Sequence, residues 1–224
     1  MSNATPGTDV INVLSGSTTI AGIDMREPIR LTSGPIEITD DVVIDSVFPE
    51  LSTRALASRR FDTIVITGDA QDDDRVLDPS FRAHPSDEIT DIAASRAEGR
   101  LDDNTRIFDI AAGTEVVISD LVLSGGVTQS EREAGGAIRT EGRLILERVR
   151  IEGNATLGDD APGGGVAAVE GGSLVVTDSL IAKNATFGED SDGGGLYQDG
   201  LQAGIQTDGA SILDQSYAEI EGEM

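Results

Sequence analysis

The chain has no cysteine and no tryptophan, a single histidine, and only 3% aromatic residues among its 224 positions. Without cysteine there is no disulfide framework, no thiolate-ligated zinc and no thiol nucleophile. His84, between Ala83 and Pro85, has no second histidine and no Ser/His/Asp spacing around it to make a proton relay. Positive charge is scarce as well. Lys183 is the only lysine, and 16 basic residues against 41 acidic ones give a formal charge of −25. A charge of that sign and size opposes nucleic acid and anionic lipid, whose affinity comes from Lys and Arg. An acidic, lysine-poor surface suits a high-salt medium, where ions screen its self-repulsion. Long apolar runs are missing: none approaches the ~18–20 residues that cross a bilayer, so no membrane insertion by this chain is expected. Residues 1–9 show neither the basic nor the apolar region of a secretory signal.

What the chain has is glycine, 27 of them, and short alternating runs of Val, Ile, Leu and Ala. Three segments align without gaps: 116–126 (VVISDLVLSGG), 144–154 (LILERVRIEGN) and 174–184 (LVVTDSLIAKN), offset by 28 and 30 residues. A small residue and a threonine follow each: Val127-Thr128, Ala155-Thr156 and Ala185-Thr186. A polar loop and a glycine cluster come next, at 135–136, 163–165 and 193–195. Within a segment the apolar period is two, broken by Gly, Asp and Asn, which is the signature of short strands. A unit of about 28 residues with three such strands cannot bury its own apolar face, but stacked units can. The reading is an all-β, right-handed parallel β-helix of roughly six to eight rungs, each strand pairing with its equivalent ~4.8 Å above and below.

The inward ladders follow from the alignment. Val116 stacks with Leu144 and Leu174; Ile118 with Leu146 and Val176; Leu121 with Val149 and Ser179; Leu123 with Ile151 and Ile181. Arg148, Arg150 and Glu152 take the alternate, outward positions. Asn154 and Asn184, with Gly126 before them, form a corner column in which side-chain amides bond along the stack. The N-terminal half has weaker runs, at 9–14, 28–31, 36–38, 42–44 and 63–67, for roughly three more rungs. One domain therefore spans 1–212, with irregular rungs over 8–69, an acidic insertion over 70–105 and regular rungs over 106–200; 213–224 is a tail or cap. One or two short helical insertions are expected. One is at 48–60, with Pro49 in its first turn. The other is at 86–99, capped by Ser86 and ended by Gly99.

At these residues the chain resembles a known family. Segment 106–113 (RIFDIAAG), the Gly-Gly-Ala-Ile run at 135–138 and the two Asn-Ala-Thr rung ends resemble the right-handed parallel β-helix repeats of chlamydial-type polymorphic outer-membrane proteins and related secreted bacterial surface proteins. Those repeats pair Gly-Gly-Ala-aliphatic with Phe-x-x-Asn. Here the second motif reads Ile151-x-x-Asn154 and Ile181-x-x-Asn184, with Ile for Phe. The resemblance covers about residues 8–200. The expected function is a non-catalytic module, extracellular or at the cell surface, for adhesion or for binding carbohydrate or another surface protein, as part of a larger protein or as a short relative of one. The alternative is a carbohydrate-active enzyme, a polysaccharide lyase or glycoside hydrolase, because many β-helix proteins have that chemistry.

An inverting glycosidase needs carboxylates converging on one groove. The adjacent acids are Asp40/Asp41, Asp72/Asp73/Asp74, Asp102/Asp103 and Asp159/Asp160, and all read as turn acids in acidic surroundings. No catalytic residue is assigned. No cofactor is required. The one ion the loops could take is Ca²⁺, through Asp159, Asp160, Glu189, Asp190 and Asp192, because stacked acidic loops repel unless something bridges them. The glycine clusters lead into strands without a lysine, so they read as corners rather than phosphate cradles. Asn154 and Asn184 head Asn-Ala-Thr sequons but point inward, out of reach of glycosylation; Asn3 heads a third.

Overall fold

The structure, a computed structural model, describes residues 9–14, 28–47, 64–71, 98–199, 206–208 and 211–212. The expected helical segment 48–60, most of 86–99, His84, Asp72–Asp74, Asn3 and the tail 213–224 lie outside the described residues. Gly99, the expected helix stop, sits in a turn at φ 71°. Among the described residues there is no helix; all regular structure is β.

The strands recur in a fixed cycle. First come β1 (Asp9–Leu14), β2 (Ile29–Arg30) and β3 (Ile36–Ile38), then β4 (Val42–Val47), β5 (Ile64–Thr67) and β6 (Phe108–Ile110). The regular part holds β7 (Glu115–Ser119), β8 (Leu121–Ser124), β9 (Val127–Thr128) and β10 (Ile138–Thr140), then β11 (Arg143–Glu147), β12 (Arg150–Glu152), β13 (Ala155–Thr156) and β14 (Val166–Ala168). It continues with β15 (Ser173–Thr177), β16 (Leu180–Ala182), β17 (Ala185–Thr186), β18 (Leu196–Gln198), β19 (Gln206–Asp208) and β20 (Ser211–Ile212). Consecutive strands never pair. They distribute over sheet I (β1-β4-β7-β11-β15-β19), sheet II (β2-β5-β8-β12-β16-β20), sheet III (β9-β13-β17) and sheet IV (β3-β6-β10-β14-β18). All strand pairs within these sheets are parallel.

The register is the one the repeat offset dictates. Val42, Val116, Leu144 and Leu174 are neighbours across sheet I, as are Ile44, Ile118, Leu146 and Val176. Ile66, Leu123, Ile151 and Ile181 are neighbours across sheet II. From Val116 onward each of these side chains has no measurable exposure, and they join Phe108, Ile138 and Val166 of sheet IV in one apolar cluster. Ser179, in the column of Leu121 and Val149, is buried with both hydrogen-bonding roles used: its Oγ accepts the Val149 N–H at 3.0 Å and donates to the Thr177 carbonyl at 2.8 Å. A smaller cluster (Leu101, Val127, Ala155, Leu157, Ala185 and Phe187) packs beside sheet III.

Corners repeat as faithfully as strands. Between sheets I and II the chain turns through Asp120, Arg148 and Asp178, at φ 54°, 54° and 49°. At the end of sheet II it turns through Gly125, Gly153 and Lys183, at φ 63°, 70° and 58°. The backbone must enter the left-handed region to change sheet within one or two residues, and stacking imposes the same dihedral on every equivalent position, even where the residue is Lys. The asparagine column follows. Asn154 Oδ1 accepts the Gly126 N–H at 2.8 Å, and Asn154 Nδ2 donates to Asn184 Oδ1 at 2.9 Å and to the Leu123 carbonyl at 3.2 Å. Asn184 Nδ2 donates to the Ile151 carbonyl at 2.8 Å. Both asparagines are fully buried, so their sequons are inaccessible.

One expectation is corrected. Glu152 does alternate away from the core cluster, but it does not face water: it is 3% exposed and ion-paired with Arg150. Val122, Ser124 and Ala182, at outward positions of the same sheet, are buried too. On this face the positions of Thr67, Ser124, Glu152 and Ala182 are buried while Val65, Arg150 and Leu180 stay partly exposed, and a carboxylate is tolerated there because a guanidinium matches it. At the other extreme, Ile11, Ile29 and Ile36 are 50%, 44% and 38% exposed. Each lies in an inward register on the first strand of its sheet, opposite Ile44, Ile66 and Phe108, so the apolar column opens to solvent at this end.

Candidate functional site

Turns after sheet III carry the acids expected to take a cation. They stack backbone on backbone: the Arg132 N–H donates to the Asp159 carbonyl at 2.8 Å, and the Asp160 N–H to the Glu189 carbonyl at 2.9 Å. The approach is close because of glycine. A Cβ on Gly158 would stand 2.0 Å from the Ser130 carbonyl oxygen, and one on Gly188 1.9 Å from that of Gly158. Arg132, Asp160 and Asp190 take the left-handed conformation in register, at φ 62°, 52° and 53°. Asp159 Oδ1 accepts the Glu189 N–H at 2.9 Å, and Asp160 faces Arg132 Nε at 3.7 Å across exposed surface. Glu189, Asp190 and Asp192 are exposed. Among the described residues no three acidic or histidine side chains gather closely enough to hold a metal ion. The stacked turns thus spread their carboxylates along an edge rather than around a point.

Asp40 and Asp41 sit at the corner leading into sheet I, and both act in the turn. Asp40 Oδ1 accepts the Asp41 N–H at 2.9 Å, and Asp41 Oδ1 accepts the Glu115 N–H at 2.7 Å. Asp102 and Asp103 lie in the turn before Asn104, where Asp103 Oδ2 accepts the Gln71 N–H at 2.8 Å. Beside the Asp41 corner runs an open groove of about 400 Å³, lined by Asp41, Thr114, Glu115, Glu141, Arg143 and Ser173 among others. Each carboxylate lining it has a partner. Glu115 pairs with Arg143 at 3.1 Å, and Glu141 pairs with Arg139. Arg139 also reaches Asp109 at 3.2 Å, and Asp109 pairs with Arg106 at 2.8 Å. Burial works against the charge on Arg139, but hydrogen bonds and charge from Glu141 and Asp109 outweigh it and raise its pKa. Arg106 is pushed the other way, because burial dominates despite Asp109. Its Nε and Nη2 donate to the carbonyls of Gly135 and Ala134 at 2.9 and 3.0 Å, fastening the glycine turn of the next unit.

A feature not singled out from the sequence lies next to this groove. The outward positions of sheet I place Val43, Val117, Ile145 and Val175 in one column. All four are half-buried. On one side runs the column of Asp41, Glu115, Arg143 and Ser173; on the other, Asp45, Ser119, Glu147 and Thr177. The offset that predicts the inward ladder also predicts this one, since Val117, Ile145 and Val175 occupy equivalent places in the three aligned segments. The four aliphatic side chains form one partly exposed column between charged borders.

Comparison with protein families, with curated proteins and with solved structures finds no match for this chain.

Proposed function

We propose that the four sheets wind into a right-handed parallel β-helix of roughly six to eight rungs, and that this coil is a non-catalytic extracellular or cell-surface module of the kind found in polymorphic outer-membrane protein repeats, binding glycan or a partner protein. The observation that carries the coil is the cyclic strand order with register kept turn after turn, sealed by the Asn154–Asn184 amide contact. The observation that favours binding over turnover is the corner groove, where Asp41 holds a backbone N–H and Glu115 and Glu141 are ion-paired. A general acid or base must instead be within reach of substrate and able to exchange its proton.

The same groove, with three carboxylates beside Arg143, is where the alternative, a polysaccharide lyase or hydrolase, would work. Incubation with a panel of neutral, cationic and uronic-acid oligosaccharides, followed by mass analysis of the retained and the released sugar, separates the two. Retention of intact chains supports the module. Shortened or unsaturated chains overturn it in favour of the enzyme. Failure to retain any sugar removes the glycan arm and leaves a protein partner.

A further inference from the structure

Of the surfaces described, the outer face of sheet I combines an aliphatic ridge with charged borders of one prevailing sign. The ridge is Val43, Val117, Ile145 and Val175, spaced one per strand along the stack. At ~4.8 Å per strand, four residues span ~14 Å. Asp41 and Glu115 border it on one side and Asp45 and Glu147 on the other, with Asp120 and Asp178 at the adjoining corner. Among the described residues Arg143 and Arg148 are the cations of this face, and both are engaged: Arg143 with Glu115 at 3.1 Å, Arg148 with Asp120 at 2.6 Å and with Glu147 at 3.5 Å. The Arg148 charge is reinforced first by its hydrogen bonds to Asp120, which raise its pKa. Among the described residues, six carboxylates against two arginines leave the borders negative.

We propose that this face docks a cationic amphipathic helix of a partner protein, laid along the stack. The pitch fits. A helix returns an apolar side chain to one face every three to four residues, a spacing of ~4.5–6 Å, close to the strand spacing of the ridge. Lys or Arg flanking such an apolar stripe would meet Asp41 and Glu115 on one side and Asp45 and Glu147 on the other. A second copy of this chain is disfavoured, because each copy carries a charge of −25. An anionic membrane is repelled for the same reason. The inference deepens the module reading and rests on it, by naming a partner class and a face.

The probe is a fluorescently labelled 18-residue peptide of Leu and Lys with leucines at alternating three- and four-residue spacing. Its control is an isomer of the same composition with leucines and lysines scrambled. Anisotropy is read at ~50 and ~300 mM salt, which bracket strong and weak screening. The full chain is expected to bind the amphipathic peptide at least tenfold more tightly than the isomer, and more weakly at high salt. The double variant Val117→Thr/Ile145→Thr keeps β-branched residues at partly exposed strand positions, so it folds, as circular dichroism checks. It is expected to lose tenfold or more in affinity. Asp45→Asn/Glu147→Gln is expected to lose several-fold and to flatten the salt dependence. Equal binding of both peptides, an unaffected double variant, or no binding at all overturns the proposal, as does a concentration-dependent dimer abolished by the same variant. Polysaccharide cleavage by the wild-type chain would instead overturn the module reading, whatever the peptide does.

Discussion

Asn154 offers the sharpest test of the stacking argument. Its side chain is fully buried and makes three bonds along the column: the Gly126 N–H into Oδ1 at 2.8 Å, and Nδ2 to the Leu123 carbonyl at 3.2 Å and to Asn184 Oδ1 at 2.9 Å. Asn154→Ala orphans one buried backbone group, the Gly126 N–H, and takes one bond from the Leu123 carbonyl, which stays in the β8–β12 ladder opposite Ile151. Asn184 Oδ1 keeps one partner, because it also accepts the Asn154 backbone N–H at 3.1 Å. At about 1–3 kcal/mol for the orphaned N–H, with a further cost for the cavity left by a fully buried carboxamide, the loss is expected near ~3 kcal/mol. With a slope of ~2 kcal/mol/M that moves the urea midpoint down by ~1.5 M.

Asn154→Asp separates hydrogen bonding from shape. The aspartate can still accept the Gly126 N–H, but its second oxygen faces the Leu123 carbonyl and Asn184 Oδ1, both acceptors. Ionisation is therefore disfavoured in the folded state, and the new carboxyl titrates above the ~3.9 of an unfolded chain. A carboxyl whose folded pKa is raised imposes no ionisation penalty below the unfolded value and a growing one as pH rises through the folded value. The deficit of Asn154→Asp relative to wild type should thus exceed that of Asn154→Ala at pH 7 and shrink towards pH 4, while the alanine deficit stays flat. Urea unfolding followed by circular dichroism at several pH values measures both. A loss below ~0.5 kcal/mol for Asn154→Ala, or an Asp deficit indifferent to pH, would refute the amide column as a source of stability.

Three further outcomes follow from position along the stack. Ile151→Asp should abolish the folded circular-dichroism signal, because it buries an unpaired charge at 0% exposure, whereas Ile29→Asp, at 44% exposure on the open end, should still melt cooperatively. Gly188→Ala should cost ~2 kcal/mol or more in urea titration, since its Cβ would meet the Gly158 carbonyl at 1.9 Å, while Gly113→Asn, with nothing within 4 Å, should stay within ~1 kcal/mol of wild type despite φ 80°. At the turns after sheet III, where no three described acidic groups converge, no ion is expected; a Tm that falls by several degrees with EDTA and is restored by Ca²⁺ in the wild type, but not in Asp159→Asn/Asp190→Asn, would place one there.

The inward ladders were legible because two periods coincide. Alternation picks out Leu144 and Leu146, and the 28- and 30-residue offsets carry that choice to Val116, Ile118, Leu174 and Val176. The asparagine column was legible for the same reason, with glycine at 126 in the missing place. What alternation cannot tell is whether an outward face stays wet. It assigns Glu152 and Ile145 the same outward character, yet Glu152 is buried against Arg150 and Ile145 is half-exposed, because only the tertiary arrangement decides which sheet face is covered. Left-handed corners at Arg148 and Lys183 were hidden too, since neither residue signals a positive φ by type, as Asp120 in the place equivalent to Arg148 does. Register imposes it. The groove beside Asp41 draws on β7, β11 and the corners between them and sheet IV, so no single repeat contains it.

The distribution of arginine completes the physical account of so acidic a stack. Parallel register multiplies any surface charge down a column, placing like charges ~4.8 Å apart. Four arginines, Arg139, Arg143, Arg148 and Arg150, fall in one unit, between β10 and β12, and there each meets acid. Arg143 reaches Glu115 and Arg148 reaches Asp120 in the preceding unit, Arg139 reaches Asp109 before it and Glu170 after it, and Arg150 reaches Glu152 beside it. In the Asp120–Arg148–Asp178 corner the two acids are thereby held two strands apart, near the ~8–10 Å at which salt screens them, with a cation between. In the turns after sheet III one arginine, Arg132, faces Asp160, and the acids from Asp159 and Asp160 to Glu189 and Asp190 lie exposed where water and salt can reach. Charge is placed by the rule that places the apolar ladders, with equivalent positions kept over one another and one unit supplying the counter-charge for its neighbours.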